Sequence, residues 1–104
     1  RRIMSNIQII QCQKASGSFD TVDAAMETHV DDCTALTSVS DYKEWVGTQK
    51  FTETYELMSD KSGYNIIRTW ESFGAMTTAE TVGTPGNDRE QLSVGGWKVE
   101  VLTS

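Results

Sequence analysis

The chain has 104 residues, enough for one domain and too few for two, so residues 1–104 are expected to form a single domain. A formal net charge of −6 and scattered lysines and arginines disfavour binding to nucleic acid or to an acidic lipid surface. Apolar runs of only two or three residues exclude a membrane span, and no signal peptide is visible, so a cytoplasmic location is expected.

The first predicted element is a strand over residues 3–13. Ile7 and Ile9 point to one face of this strand, whereas Ile10 and Cys12 point to the other. A strand that is apolar on both faces is buried on both faces, so another layer of protein is expected to pack on each side of its sheet.

The second predicted element is a helix over residues 20–36, capped by Ser18 or Asp20. Its apolar stripe has spacings of three and four and consists of Phe19, Val22, Met26, His29, Val30, Cys33 and Leu36. A short amphipathic helix is predicted within residues 37–49, with Ser40 or Asp41 as its cap, lying over the sheet.

A hairpin follows, with strands over residues 51–59 and 64–70. The loop between them ends at Gly63, which we expect in the left-handed conformation. Four side chains share one face of the second strand, namely Tyr64, Ile66, Arg68 and Trp70.

The last third of the chain contains a short helix and a strand. Ser72 is the predicted cap of a helix over residues 72–82, and residues 86–96 are predicted to be mostly loop. A final strand over residues 97–102 alternates Trp97, Val99 and Val101 with polar residues and Leu102.

The resulting order, β-α-(α)-β-β-α-β, predicts an α+β fold of the ferredoxin-like, split βαβ type. Its four-stranded antiparallel sheet has helices on one face, and we expect a second copy of the chain to cover the other face. The alternative is a cystatin- or NTF2-like single sheet wrapped on the long first helix, which needs residues 81–92 to form a strand.

Residues 53–72 carry a resemblance to a known family. The stretch ends in Trp70, Glu71 and Ser72, at the start of the short helix predicted over residues 72–82. It resembles the central hairpin of the dimeric α+β barrel superfamily, in particular its antibiotic biosynthesis monooxygenase branch. The resemblance implies two sheets packed face to face across a dimer axis, with a pocket between each sheet and its own helices.

That superfamily includes cofactor-free monooxygenases acting on aromatic polyketides or quinols, haem-degrading enzymes, relatives of chlorite dismutase and proteins without known activity. In the haem-degrading branch the site consists of an Asn near the first strand, a Trp ending the third strand and a His on the second helix. Asn6 and Trp70 match two of these residues. The only histidine, His29, is on the first helix, which argues against haem degradation. Residues 37–49 and 86–96 also depart from the compact family pattern.

His29 is the candidate catalytic residue, because imidazole is the side chain that titrates near neutral pH. A base on this helix face could take a proton from a phenolic substrate, while the alternative is a core histidine satisfied by one hydrogen bond.

His29 and Cys33 could offer two metal ligands, but a zinc site needs three or four, so no metal is expected. Cys12 and Cys33 are predicted to be reduced thiols, with a disulfide as the alternative.

The candidate ligand-binding residues are Asn6, Tyr55, Arg68 and Trp70. Trp70 could stack on a flat aromatic ligand and Arg68 could pair with its oxyanion, or both could be ordinary core residues. Because both faces of the sheet are apolar, periodicity does not decide which face carries them. No phosphate loop or nucleophile motif is present, and no cofactor is predicted.

Two functions therefore remain open. The first is a small-molecule-binding homodimer related to cofactor-free monooxygenases, which requires convergent polar groups beside a pocket. The second is a non-enzymatic structural or interaction module on the same scaffold, which requires a filled core without such groups.

Overall fold

The computed structural model describes residues 6–32, 38–76 and 95–103. Its elements in chain order are β1 (Ile7–Lys14), α1 (Val22–Asp32), α2 (Val39–Val46), β2 (Phe51–Leu57), β3 (Gly63–Trp70) and β4 (Trp97–Thr103). The strands form one antiparallel sheet in the order β2-β3-β1-β4. This is the predicted ferredoxin-like α+β arrangement, so the fold class is confirmed.

The two faces of the sheet differ in burial. On β1, Gln8, Ile10 and Cys12 are buried, while Ile7 is exposed. On β3 the buried side chains are Tyr64, Ile66, Arg68 and Trp70. Trp70 and Arg68 therefore lie on the helix-facing side of the sheet, which answers the question that the periodicity left open.

Two hydrophobic clusters fill the space between the sheet and the helices. The first lies under α1 and contains Ile10, Cys12, Ala25, Met26, Tyr64, Ile66 and Trp97. The second lies at the β2 side under α2 and contains Tyr42, Val46, Phe51, Trp70 and Met76. Among the described segments, no helix is long and apolar enough to cross a membrane.

The helix caps differ from those predicted. The Thr21 hydroxyl, not Ser18 or Asp20, accepts a hydrogen bond from the Ala24 N–H at 3.1 Å at the start of α1. At the start of α2, Ser38 accepts from the Asp41 N–H at 3.0 Å, so neither Ser40 nor Asp41 is the cap. In each case the cap is the residue immediately before the first helical residue. The predicted end of the first helix lies outside the described residues.

The hairpin between β2 and β3 forms as predicted, but its left-handed residue is Lys61, with φ of 62°, and not Gly63. Gly63 is instead the first residue of β3, where β1 approaches closely. A Cβ atom at this position would lie 2.0 Å from the carbonyl oxygen of Cys12. The glycine is therefore required by the packing of two backbones rather than by its dihedral angles.

A helical turn after β3 begins where it was predicted. The Ser72 hydroxyl accepts a hydrogen bond from the Ala75 N–H at 3.0 Å, and residues 73–76 are helical. The rest of the helix predicted over residues 72–82, and most of the loop predicted over residues 86–96, lie outside the described residues. Residues 81–92, which would have to form a strand in the cystatin-like alternative, also lie outside the described residues.

Candidate functional site

A row of polar side chains crosses the helix-facing side of the sheet. Glu53 on β2 is directly opposite Arg68 on β3, and Arg68 is directly opposite Gln8 on β1. The side chains of Glu53 and Arg68 are 0% and 1% exposed, and Gln8 is 1% exposed. Three adjacent strands therefore place one anion, one cation and one amide side by side inside the core.

The Glu53 carboxylate is the centre of this row. Its Oε2 accepts a hydrogen bond from Arg68 Nε at 2.7 Å, and Arg68 Nη2 lies 2.6 Å from the same oxygen. Its Oε1 accepts from the Tyr42 hydroxyl at 2.8 Å and from the Tyr55 hydroxyl at 2.9 Å. These donors stabilise a carboxylate that would otherwise be expensive to bury.

Aromatic rings surround the row. The Arg68 guanidinium lies 4.0 Å from the centre of the Phe51 ring, and the Trp70 ring packs edge-on against Phe51 at 4.7 Å. Trp70 Nε1 donates to Gln8 Oε1 at 2.8 Å, and Asn6 Nδ2 donates to the Trp70 carbonyl oxygen at 2.5 Å. These contacts fix the plane of Trp70. We call the residues joined in this way the Glu53 cluster: Asn6, Gln8, Tyr42, Phe51, Glu53, Tyr55, Arg68 and Trp70.

The tyrosines of the Glu53 cluster are hydrogen-bond donors. Burial raises the pKa of Tyr42 and of Tyr55 well above the usual range for a phenol, and the negative charge of Glu53 raises both further. Both hydroxyls therefore stay protonated near neutral pH. Tyr55 is only half-buried, whereas Tyr42 lies under α2 and is buried.

His29 belongs to a second group of residues. Its Nδ1 lies 2.7 Å from the Tyr64 hydroxyl, and its ring stacks on Trp97 with 4.2 Å between ring centres. Trp97 Nε1 donates to Asp32 Oδ2 at 2.9 Å, and Lys14 Nζ donates to the same oxygen at 2.7 Å. We call these five residues the His29 cluster. Lys14, and then Trp97, lower the pKa of Asp32 through their hydrogen bonds.

The structure thus divides the predicted site residues between two places. Asn6, Tyr55, Arg68 and Trp70 all lie in the Glu53 cluster, and His29 lies in the other cluster. Cys33 lies outside the described residues, and Cys12 is a fully buried thiol. Among the described His, Cys, Asp and Glu residues, no three converge as metal ligands would.

Three residues of the Glu53 cluster are not predicted as site residues by the sequence pattern, namely Glu53, Tyr42 and Gln8. The sequence does indicate that Glu53 is unusual, because it shares a strand face with Phe51 and Tyr55, where a charged side chain is unexpected. It gives no such indication for Tyr42, since the Tyr42 hydroxyl reaches Glu53 only after α2 folds over β2.

A groove of about 410 Å³ lies between α1 and the start of α2. Its lining residues are Glu27, Val30, Asp31, Ser38, Val39 and Ser40. None of the predicted site residues lines it, so it is separate from both clusters.

A similar solved structure is found among known proteins. No protein-family model matches the chain, and no curated protein matches it. The chain shares its fold with a monooxygenase. That protein is the product of the gene ActVA-Orf6 of Streptomyces coelicolor, and its crystal structure was determined in complex with the ligand nanaomycin D.

The match to this monooxygenase covers 96% of this chain and 88% of the other, with a TM-score of 0.50 and 20% sequence identity. An identity this low shows a common fold and nothing finer. The ferredoxin-like fold of the single chain that the resemblance of residues 53–72 implies is confirmed, whereas the pairing of two copies and the pocket stay predictions.

Proposed function

We propose that this chain is a small-molecule-binding homodimer that acts as a cofactor-free monooxygenase on a flat aromatic substrate. The ligand site is assigned to the helix-facing side of the sheet, at the Glu53 cluster. The observation that carries the proposal is the buried polar row of Glu53, Arg68 and Gln8, enclosed by aromatic rings.

A core built only for stability does not need this row. Apolar residues of similar volume are often as stabilising as a buried ion pair, or more so. Sequences that break the rules of core packing do so mainly at functional sites. Aromatic walls with a few convergent polar groups are also the usual composition of a small-molecule site. The composition of the Glu53 cluster therefore supports a binding site.

The similar structure supports the ligand class. The monooxygenase of Streptomyces coelicolor holds nanaomycin D on the same fold, and the match extends over nearly the whole of this chain. This similarity favours a small organic ligand over a protein partner.

The residues of the Glu53 cluster have distinct proposed roles. Trp70 offers a flat surface for stacking, held in place by Gln8 and Asn6. The Tyr55 hydroxyl is the polar group that a ligand reaches first, because Tyr55 is only half-buried. Its hydrogen is donated to Glu53, so its oxygen would accept a hydrogen bond from the ligand. Arg68 holds Glu53 and contributes positive charge beside the ligand. His29 is proposed as the base that takes a proton from a phenolic substrate.

The outer face of the sheet is the proposed dimer interface. Ile67 is directly opposite Ile9, and Ile9 is directly opposite Leu102, so these side chains form a row across β3, β1 and β4. Ile7 extends the patch along β1, and its side chain is among the exposed large hydrophobic ones. A contiguous apolar patch of this kind marks an interaction surface, and a second copy offers the complementary one.

One observation favours the alternative of a non-enzymatic module. The Glu53 carboxylate already accepts hydrogen bonds from three protein donors, as a purely structural network would. The two functions differ in ligand binding and in oxygen consumption, so one set of experiments separates them.

The experiment is calorimetric titration of the purified protein with nanaomycin D, together with oxygen-electrode measurements without added flavin, haem or metal. We expect saturable binding and ligand-dependent consumption of oxygen. Tyr55→Phe is expected to weaken binding about tenfold, the effect of one lost hydrogen bond. Trp45→Phe changes a half-buried aromatic side chain outside the Glu53 cluster and serves as the control, with binding nearly unchanged.

The outcomes are distinct. Absence of binding to the wild-type protein, or equal affinity in wild type and Tyr55→Phe, would contradict the proposed site. Binding without oxygen consumption would contradict the monooxygenase and support the non-enzymatic module.

A further inference from the structure

The His29 cluster contains two oxidisable rings, and each one is hydrogen-bonded to a base. The Tyr64 hydroxyl lies 2.7 Å from His29 Nδ1, and the Trp97 N–H lies 2.9 Å from Asp32 Oδ2. Removing one electron from a phenol or an indole makes its O–H or N–H strongly acidic. A base at hydrogen-bond distance therefore makes each oxidation easier, because proton and electron leave together.

The two rings are close enough to exchange an electron. The centres of the Tyr64 and Trp97 rings are 6.0 Å apart, and the His29 imidazole packs against both, at 4.2 Å from Trp97 and 5.7 Å from Tyr64. Tyr64 is 3% exposed and Trp97 is 4% exposed. Phe19 stacks on Trp97 at 5.7 Å, so this ring is covered by both Phe19 and His29. A radical on either ring is shielded from solvent.

The two bases differ in their access to water. His29 is fully buried, while the side chains of Asp32 and its partner Lys14 are 28% and 26% exposed. Trp97 is therefore hydrogen-bonded to a base that water can reach, whereas the base beside Tyr64 is fully buried.

We propose that the His29 cluster is a one-electron relay in which Trp97 reacts with an oxidant of the oxygen-radical class and the radical then passes to Tyr64. The relay does not depend on the ligand proposed for the Glu53 cluster. It gives the chain a redox activity in addition to ligand binding.

The steps balance in atoms and charge. Trp97 first gives one electron to a peroxyl radical, which becomes a peroxide anion, and the indole proton passes to the Asp32 carboxylate. Tyr64 then gives one electron to Trp97, the indole recovers its proton from Asp32, and the phenolic proton passes to His29 Nδ1. The products are a neutral Tyr64 radical, an imidazolium on His29 and the peroxide anion.

The surroundings of Tyr64 suit the second step. Burial raises the pKa of Tyr64 well above its ordinary value, and the neighbouring Cys12 raises it further, so the hydroxyl keeps its proton until the ring is oxidised. The imidazolium that forms lies flat against the Trp97 ring, an arrangement in which a cation–π interaction stabilises the positive charge.

The test is a flash-quench experiment on the full chain, with photo-oxidised ruthenium tris-bipyridine as the oxidant. Transient absorption and electron paramagnetic resonance identify the radicals. In the wild type we expect a tryptophan radical that converts to a tyrosyl radical, with slower conversion in deuterated water because a proton moves. Tyr64→Phe should leave a long-lived tryptophan radical, and Trp97→Phe should reduce the tyrosyl yield at least tenfold.

One variant serves as the control. Trp45→Phe removes a half-buried tryptophan outside the His29 cluster and should leave the tyrosyl yield unchanged. A tyrosyl signal that survives in Tyr64→Phe but is lost in Tyr42→Phe would overturn the proposal, because the radical would then reside in the Glu53 cluster. So would an unchanged tyrosyl yield in Trp97→Phe. Circular dichroism of each variant confirms that it is folded.

Discussion

Glu53 and Arg68 face each other from adjacent strands and form a buried ion pair, with 2.6 Å between Glu53 Oε2 and Arg68 Nη2. Both side chains are buried. Such a pair adds little net stability as a pair, but removing one partner leaves the other charge buried and uncompensated. Substitution of only one of the two residues is therefore expected to destabilise the fold.

Glu53→Gln should lower the free energy of unfolding by about 3–5 kcal/mol, because the Arg68 charge stays buried without its carboxylate. Urea denaturation followed by circular dichroism measures the loss. Glu56→Gln is the matched control, since Glu56 is exposed on the same strand, and a change within about 0.5 kcal/mol is expected there. Equal effects of the two substitutions would contradict the burial of the Glu53 charge.

The double variant Glu53→Leu with Arg68→Met removes both charges and keeps an apolar filling. It should be more stable than Glu53→Gln alone, because no uncompensated charge remains. If the network has a binding role, the same variant loses ligand affinity while the fold is retained. A double variant less stable than either single one would show that the pair is needed for folding.

The strands and their faces could be predicted because their signal is local. Alternation along residues 64–70 assigns Tyr64 and Arg68 to one face whatever the rest of the chain does. The order of elements then limits the topology to a few arrangements, and the observed order of strands is the ferredoxin-like one. The helix cap at Ser38 cannot be selected from the sequence, because several neighbouring residues are equally good caps by type.

The Glu53 cluster could be predicted only in part because its hydrogen bonds connect distant residues. Trp70 and Gln8 are 62 positions apart in the chain, and Arg68 and Glu53 are 15 apart. Tyr42 comes close to Glu53 through the placement of α2, which no periodicity encodes. The face that carries Trp70 was also undetermined by pattern, since Ile9 and Ile67 make the opposite face apolar as well.

The three tyrosines should resist ionisation in the folded protein. Burial raises the pKa of Tyr42, Tyr55 and Tyr64 above the ordinary value of 10.0. The folded chain therefore holds protons that the unfolded chain releases, so stability is unaffected below about pH 10 and falls as the pH rises further. Tyrosinate absorbance should appear only together with unfolding, as followed by circular dichroism. In denaturant the same groups should titrate near pH 10, and tyrosinate formation in a folded chain at that pH would contradict their burial.

Gly63 and Gly74 form a matched pair for the effect of one added methyl group. Gly63→Ala should destabilise the fold by about 1–3 kcal/mol or more, because the new Cβ meets the Cys12 carbonyl oxygen at 2.0 Å and forces β1 and β3 apart. Gly74→Ala has space, with its nearest neighbour at 3.8 Å, and should stabilise by about 0.4–1 kcal/mol in a helical turn. Thermal and urea unfolding measure both. Equal and small effects would contradict the close approach at Gly63.

Leu102 and Phe73 test the proposed dimer, because both are exposed large hydrophobic side chains, at 41% and 37% exposure. Leu102 belongs to the apolar row on the outer face of the sheet, whereas Phe73 follows β3 in the helical turn capped by Ser72. Leu102→Asp buries a charge in the interface and should convert a dimer to a monomer in analytical ultracentrifugation. Phe73→Asp adds the same charge away from the interface and should leave the dimer intact.

The monomeric Leu102→Asp variant should also remain folded, because a substitution at an exposed position usually changes the stability of the single chain by less than about 0.5 kcal/mol. Its circular dichroism spectrum should therefore match that of the wild type. A wild-type chain that sediments as a monomer at micromolar concentration would contradict the dimer. Loss of the dimer in Phe73→Asp but not in Leu102→Asp would place the interface on the helix side, where it would compete with the proposed ligand site.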